Sequence, residues 1–149
     1  MTQHQYSDED LAYHEAGHAV AALVLGHSVV RVSVVRDDPS RGVRVPSFVS
    51  EDLPPGSEAV RDRILVNLAG NAAQHVRNPT SPRQQDAKDW PRAEALAGST
   101  EILEAEWQRA VALLQLPEHW ERVERIAQAL LAEPVLEAAQ IAELADRAP

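Results

Sequence analysis

The chain has 149 residues, of which 44% are hydrophobic and 25% charged, a composition typical of one folded domain rather than of a disordered chain. Its formal net charge of −9, without any run of Lys or Arg, argues against nucleic acid as a partner. The absence of cysteine excludes disulfides and thiolate metal sites, and no apolar stretch approaches the ~18 residues of a membrane span. We therefore expect a soluble, cytoplasmic domain over residues 1–149 whose metal ligands, if any, are nitrogen and oxygen atoms.

Hydrophobic periodicity and turn residues predict a mainly helical fold with one small β-hairpin. Ser7, followed by three acidic residues, is typical of a helix N-cap, and Pro46 restricts the strand that contains it to the edge of a sheet. The predicted elements are, in chain order, helix 1 (7–26), a hairpin (29–36 and 41–49), helix 2 (58–76), helix 3 (89–97) and three further helices (100–115, 117–133 and 135–147).

The sequence HEAGH at residues 14–18 lies within the first predicted helix. Because residues four apart lie on one helix face, His14 and His18 can direct ring nitrogens at one metal ion. Glu15 lies one step round the helix, where its carboxylate can take a proton from a water molecule that attacks a carbonyl group. The motif predicts a metal-dependent hydrolase. The alternative is an alanine-rich helix whose histidines bond only to neighbouring protein groups.

A catalytic zinc site needs a third protein ligand, and spacing alone leaves several possibilities open. The metzincin extension is absent, since Ala21 and Val24 stand where a glycine and a third histidine would be. Glu58 and Asp62 have the spacing of thermolysin-like enzymes, although acidic residues are also common at the start of a helix. The other possibilities are two aspartates beside a proline-bounded loop and three isolated histidines: Asp86, Asp89, His27, His75 and His119.

Several stretches of the chain carry a family resemblance. These are AYHEAGHAV at 12–20, the strand VVRVSVV, LAGNAAQ at 68–74, DWPRAEALA at 89–97 and the closing helices. Together they resemble the peptidase domain of the FtsH family, the AAA-type zinc metalloproteases. The resemblance implies a zincin-like active-site helix followed by a helical bundle, so that the fold is mainly α with a small β-hairpin or sheet.

The same resemblance implies roles for individual residues. It implies a zinc metallopeptidase with one zinc ion per chain, held by His14, His18 and Asp89, and with Glu15 as the general base. Asp89 rather than Asp86 matches the aspartate ligand of that family. Three residues depart from the family pattern, the first of them standing where the family usually has glutamate: Gln74, Trp90 and Pro91.

FtsH proteases also carry transmembrane helices and an ATPase module, whereas this sequence has neither a hydrophobic span nor a phosphate-binding glycine loop. We therefore expect a stand-alone peptidase domain that binds no ATP, with a homo-oligomer or a separate ATPase as its possible assemblies. Its substrates would be flexible peptides or unfolded protein segments, lying extended against the strand at 30–35 unless the hairpin only covers the core. Two alternatives remain: a metal-bound, non-catalytic regulatory module, and a helical interaction domain without metal.

Overall fold

A computed structural model describes residues 7–48, 57–82 and 88–146. As the sequence predicts, this part of the chain is mainly helical and carries a small β-sheet. Its elements are, in chain order, α1 (Asp8–Val24), β1 (Arg31–Ser33), β2 (Gly42–Arg44), a 3-10 turn (Pro46–Phe48), α2 (Glu58–Arg77), α3 (Asp89–Ala97), α4 (Thr100–Gln115), α5 (Pro117–Ala132), β3 (Val135–Glu137) and α6 (Ala138–Asp146).

Helix α1 lies at the centre of the fold, between α2, α5 and the sheet, and most of its residues are buried. Its N-terminus is closed as predicted, because the Ser7 hydroxyl accepts a hydrogen bond from the Asp10 backbone N–H at 3.0 Å. Small side chains along α1 let the antiparallel helix α2 approach closely. A Cβ added at Gly17 would lie only 2.5 Å from the Ala69 backbone oxygen and from Ala73 Cβ.

The sheet has the order β2–β1–β3, and both pairings are antiparallel. Val32 of the middle strand lies opposite Val43 on one side and Leu136 on the other. Val32 and Leu136 are fully buried, with the sheet packed against α1. Because β1 is paired on both sides, the strand predicted at 30–35 is the centre of the sheet, and its outer edges belong to β2 and β3.

The predicted helix over 135–147 is wrong at its start, since Val135–Glu137 forms a strand and the helix occupies Ala138–Asp146. The Pro134 carbonyl accepts a hydrogen bond from the Val34 backbone N–H at 2.9 Å, which places the following residues beside β1. Pairing with β1 then gives hydrogen-bond partners to backbone N–H groups that would have none in the first turn of a helix. A contact between distant parts of the chain thus outweighs the local preference for helix.

The second hairpin strand is shorter than the prediction of 41–49. It covers Gly42–Arg44, after which Pro46–Phe48 forms a 3-10 turn closed by a hydrogen bond from the Phe48 N–H to the Val45 carbonyl at 2.9 Å. Pro46 lacks the N–H that a continuing ladder would use, which explains why the strand ends before it. The bounds of the other five predicted helices agree with the structure within two residues.

Aromatic side chains form contacts between helices at two places. The ring centroids of Trp90 and Trp107 are 5.9 Å apart, so α3 and α4 meet through their tryptophans. Trp120 of α5 stacks on Tyr13 of α1, also at 5.9 Å.

No helix within the described ranges has the length and hydrophobicity needed to cross a membrane.

We expect Gly17→Ala to destabilise the protein, because its new methyl group would overlap the α2 backbone. Overpacking of this kind costs about 1–3 kcal/mol, partly offset by about 1 kcal/mol of better helix propensity. Urea unfolding measures the difference. The matched control is Ala105→Ser, which also adds one heavy atom to a helix but at an exposed position, and which should change stability by less than about 0.5 kcal/mol. Equal stability of Gly17→Ala and wild type would contradict the close contact.

Candidate metal centre

Two histidines of α1 and one aspartate of α3 converge at one point. Asp89 Oδ2 lies 2.9 Å from His14 Nε2 and 2.8 Å from His18 Nε2, and the two ring nitrogens are 3.1 Å apart. Within the described ranges, no other group of His, Cys, Asp or Glu side chains has the mutual spacing of a metal site. The three side chains that the resemblance implies as ligands therefore do lie together.

Helix α2 provides a hydrogen-bond partner for the Nδ1 atom of each imidazole ring. His14 Nδ1 lies 2.6 Å from Gln74 Oε1, and His18 Nδ1 lies 2.6 Å from the Val66 carbonyl oxygen. Because a carbonyl oxygen can only accept, Nδ1 carries a proton and donates it in each ring. Metal-binding histidines are oriented in this way, with the second nitrogen held by a carbonyl or a carboxylate.

With its Nδ1 protonated, each neutral ring presents a lone pair on Nε2. The site then contains three acceptors within about 3 Å of one another, two ring nitrogens and the Asp89 carboxylate oxygen, and these repel unless positive charge lies among them. Ligand atoms around a tetrahedral zinc ion with bonds of about 2.0–2.1 Å are about 3.3 Å apart. The three side chains of this centre, His14, His18 and Asp89, would need to separate by only about half an ångström to fit such an ion.

Without a metal, protons supply the positive charge. Burial is the largest single influence on the pKa of His18 and disfavours its charged form, but Asp89, Glu15 and the Val66 carbonyl together outweigh it and raise the pKa of His18 to about 9. Burial likewise opposes the ionised form of Asp89, yet the neighbouring His18 and His14 lower the pKa of its carboxyl group. A metal ion at this point would supply the same positive charge as these protons.

Glu15 lies beside this centre without joining it. Its side chain is buried, at 6% exposure, and burial raises the pKa of its carboxyl group against the opposing influence of His18 and His14. It faces the hairpin, since a Cβ added at Gly42 would lie 3.9 Å from Glu15 Oε1. Buried carboxylates with a raised pKa are common among groups that exchange protons in enzymes, and this one lies beside the candidate metal centre and a strand edge.

A glycine of α2 makes room for the two rings. A Cβ added at Gly70 would lie 2.5 Å from His18 Nε2 and 2.6 Å from His14 Nε2, within the space that the ligand atoms occupy. Sequence reasoning missed the roles of Gly70, of Gln74 and of the Val66 carbonyl. One signal was available, because Gly70 and Gln74 are four residues apart and so share the face of α2 that meets the histidines.

The other residues considered from the sequence lie outside the centre. Glu58 is exposed at the start of α2, and Asp62 bonds to Arg109, with Oδ1 3.3 Å from the guanidinium. His27 contacts Ser47, while His75 packs edge-on against a tryptophan. His119 bonds to a backbone carbonyl, and Asp86 lies outside the described residues.

A cleft of about 460 Å³ opens onto the centre. Glu15, His18 and Asp89 form part of its lining, and the hairpin and the 3-10 turn form one wall, with Gly42 and Phe48 among the lining residues. The candidate metal centre is therefore accessible from one side, next to the edge of β2.

A scan against models of protein families finds no match for this sequence. A search of curated protein sequences finds no match either. A metal centre is therefore indicated by the geometry of three side chains and by the chemistry of their donor atoms.

We expect Gly70→Ala to abolish metal binding while leaving a folded protein, because the added methyl group would displace both ring nitrogens. Bound zinc per chain, measured by plasma mass spectrometry, should fall to background, with the far-ultraviolet circular dichroism unchanged. Arg61→Ala is the matched control on the same helix, since Arg61 is exposed and lies outside the centre and the cleft. Full zinc content in Gly70→Ala would show that the rings tolerate the methyl group.

We also expect the metal-free protein to lose stability between about pH 6.5 and pH 9. The folded pKa of His18, about 9, lies above its unfolded value of 6.5. The His18–Asp89 ion pair therefore stabilises fully below pH 6.5 and is lost as the pH rises through 9. Urea unfolding in chelator at several pH values measures this slope. Asp89→Asn should remove most of the slope, and an unchanged slope in that variant would contradict the assignment.

Proposed function

We propose that the protein is a zinc-dependent endopeptidase, with His14, His18 and Asp89 as metal ligands and Glu15 as the general base. One observation carries the proposal: three hydrogen-bond acceptors converge on a single point, with each ring oriented by a carbonyl of α2. Two imidazole nitrogens and one carboxylate oxygen are a donor set that suits catalytic zinc, which takes three protein ligands and leaves one position open. Several other divalent metals would accept the same set.

The residues around the centre fit peptide hydrolysis. A bound zinc ion would polarise the scissile carbonyl group and acidify a water molecule. Glu15 would accept a proton from the attacking water and deliver it to the leaving amide nitrogen, for which its raised pKa is suited. His14 and His18 would each donate the Nδ1 proton to α2 and offer the Nε2 lone pair to the zinc ion.

The fold offers one strand edge for the substrate beside this centre. β1 is paired on both sides, whereas the outer edge of β2 has no partner strand in the part of the chain that the structure describes. β2 begins at Gly42, close to Glu15, and lines the cleft. An extended peptide could gain main-chain hydrogen bonds from this edge while its scissile bond lies at the metal. We therefore propose flexible peptides or exposed protein segments of the cytoplasm as substrates.

Metal content tests the ligand set. Protein purified without chelator or nickel should contain close to one zinc ion per chain by plasma mass spectrometry. Asp89→Ala should lose it, because two histidines alone leave the site one ligand short. Glu58→Ala should keep it, since Glu58 is exposed and remote from the three side chains. A wild-type protein without metal, even after zinc is added back, would favour the interaction-domain alternative.

Catalysis is tested by Glu15→Gln, which keeps the shape of the side chain and removes its basicity. We expect full zinc content and a loss of about 10²–10⁴-fold in kcat/KM on an unstructured peptide substrate. Quenched fluorescent peptides measure the rate. Zinc binding without any peptide cleavage by the wild-type protein would instead identify a metal-bound, non-catalytic module.

A further inference from the structure

The charges that line the cleft differ from those of the chain as a whole. The formal net charge of the chain is −9, yet the described lining has as many basic as acidic side chains. The basic ones are Arg36, Arg41, Lys88 and Arg92, and the acidic ones are Glu15, Asp37, Asp38 and Asp89. A divalent ion at the metal centre would make the cleft locally positive in an acidic protein.

Most of the acidic groups in the cleft are already engaged. Asp89 belongs to the metal centre, and Glu15 is the buried base beside it. Asp38 accepts hydrogen bonds from the Ser40 hydroxyl and backbone N–H and from Arg31, and these hold the pKa of its carboxyl group low, at about 2. Asp37 is the one carboxylate of the described lining that these contacts do not involve.

Two of the basic side chains in the cleft form no ion pair within the described residues. Arg36 is paired with Asp8 at 2.9 Å. Arg41 and Arg92, by contrast, are exposed, and neither forms an ion pair with any residue in the described ranges. Their guanidinium groups are therefore available to a ligand that enters the cleft.

The two arginines belong to different elements that line the cleft, the β2 end of the hairpin and α3. Arg41 directly precedes Gly42 at the start of β2 and is near enough to Glu15 to influence its carboxylate. Arg92 comes three residues after Asp89, so it lies one helical turn further along the same side of α3. Both side chains line the cleft that a peptide lying along β2 would enter.

We propose that Arg41 and Arg92 are specificity-determining residues that bind a carboxylate of the substrate next to the scissile bond, so that acidic segments are preferred. This inference rests on the proposed peptidase function. The planar guanidinium group binds a carboxylate through two parallel hydrogen bonds, which gives direction as well as attraction. The carboxylate can be an acidic side chain or the free C-terminus of a peptide.

The test compares zinc-loaded protein on quenched fluorescent peptides that differ at one position flanking the scissile bond: Glu, Gln or Lys. We expect kcat/KM to be on the order of tenfold higher for the Glu than for the Gln peptide at low salt, and lowest for the Lys peptide. The preference should shrink as salt is raised, because screening weakens partly exposed ion pairs. Amidated and free-acid versions of each peptide separate an acidic side chain from a C-terminal carboxylate.

Variants assign the preference to the two arginines. In the double variant Arg41→Gln, Arg92→Gln the ratio of the Glu to the Gln peptide should fall towards one. In Arg41→Glu, Arg92→Glu the order should reverse in favour of the Lys peptide. Arg61→Gln, which removes an exposed arginine from outside the cleft, should leave the ratio as in wild type.

Different results would overturn the substrate preference and the peptidase function. Cleavage of all three peptides at equal rates would overturn the substrate preference and leave the peptidase function intact. If zinc-loaded protein cleaves none of them, the peptidase function is overturned, and fluorescence anisotropy with the same labelled peptides decides the remaining question. Tighter binding of the Glu peptide, lost in Arg41→Gln, Arg92→Gln, would support carboxylate recognition, whereas equal binding would overturn it.

Discussion

The contact between α1 and α2 is the constraint on which the rest of the structure depends. At Gly17 the α2 backbone lies too close to leave room for a side chain. At Gly70 the two imidazole rings of α1 occupy the space that a side chain would need. The same contact brings a helix carbonyl and an amide oxygen to the far nitrogens of these rings. Close helix packing and ring orientation are thus one structural feature, because small residues on both helices allow both.

The sequence predicts the parts of the site that depend on local spacing and misses those that depend on distant contacts. His14 and His18 lie on one helix face because they are four residues apart, and this needs no knowledge of the rest of the fold. The prediction that Asp89 lies beside them comes from the family resemblance, because local spacing cannot predict a contact between residues that are 71 positions apart. The strand at 135–137 was missed for the same reason, because its partner β1 lies near the other end of the described chain.

Chemical identity also limits what spacing can predict. Gln74 attracts notice in the sequence only as a departure from a family pattern, whereas in the structure its amide oxygen accepts from His14 as a carboxylate would, but without a negative charge. The centre therefore carries one negative charge fewer than it would with glutamate at position 74. Arg41 and Arg92 are equally unremarkable in the sequence, because only the folded chain places the hairpin and α3 in the lining of one cleft.

The central position of β1 has a consequence for the order in which the protein can form during synthesis. At about 5–20 residues per second, β3 leaves the ribosome on the order of ten seconds after β1, so the hairpin waits that long with one edge unpaired. Exposed strand edges invite pairing with other chains, and the brevity of these strands, three residues each, limits that hazard. β3 contributes no residue to the described lining of the cleft, but its pairing with β1 completes the sheet that carries one wall, so this wall gains its full support only after α5 has been synthesised.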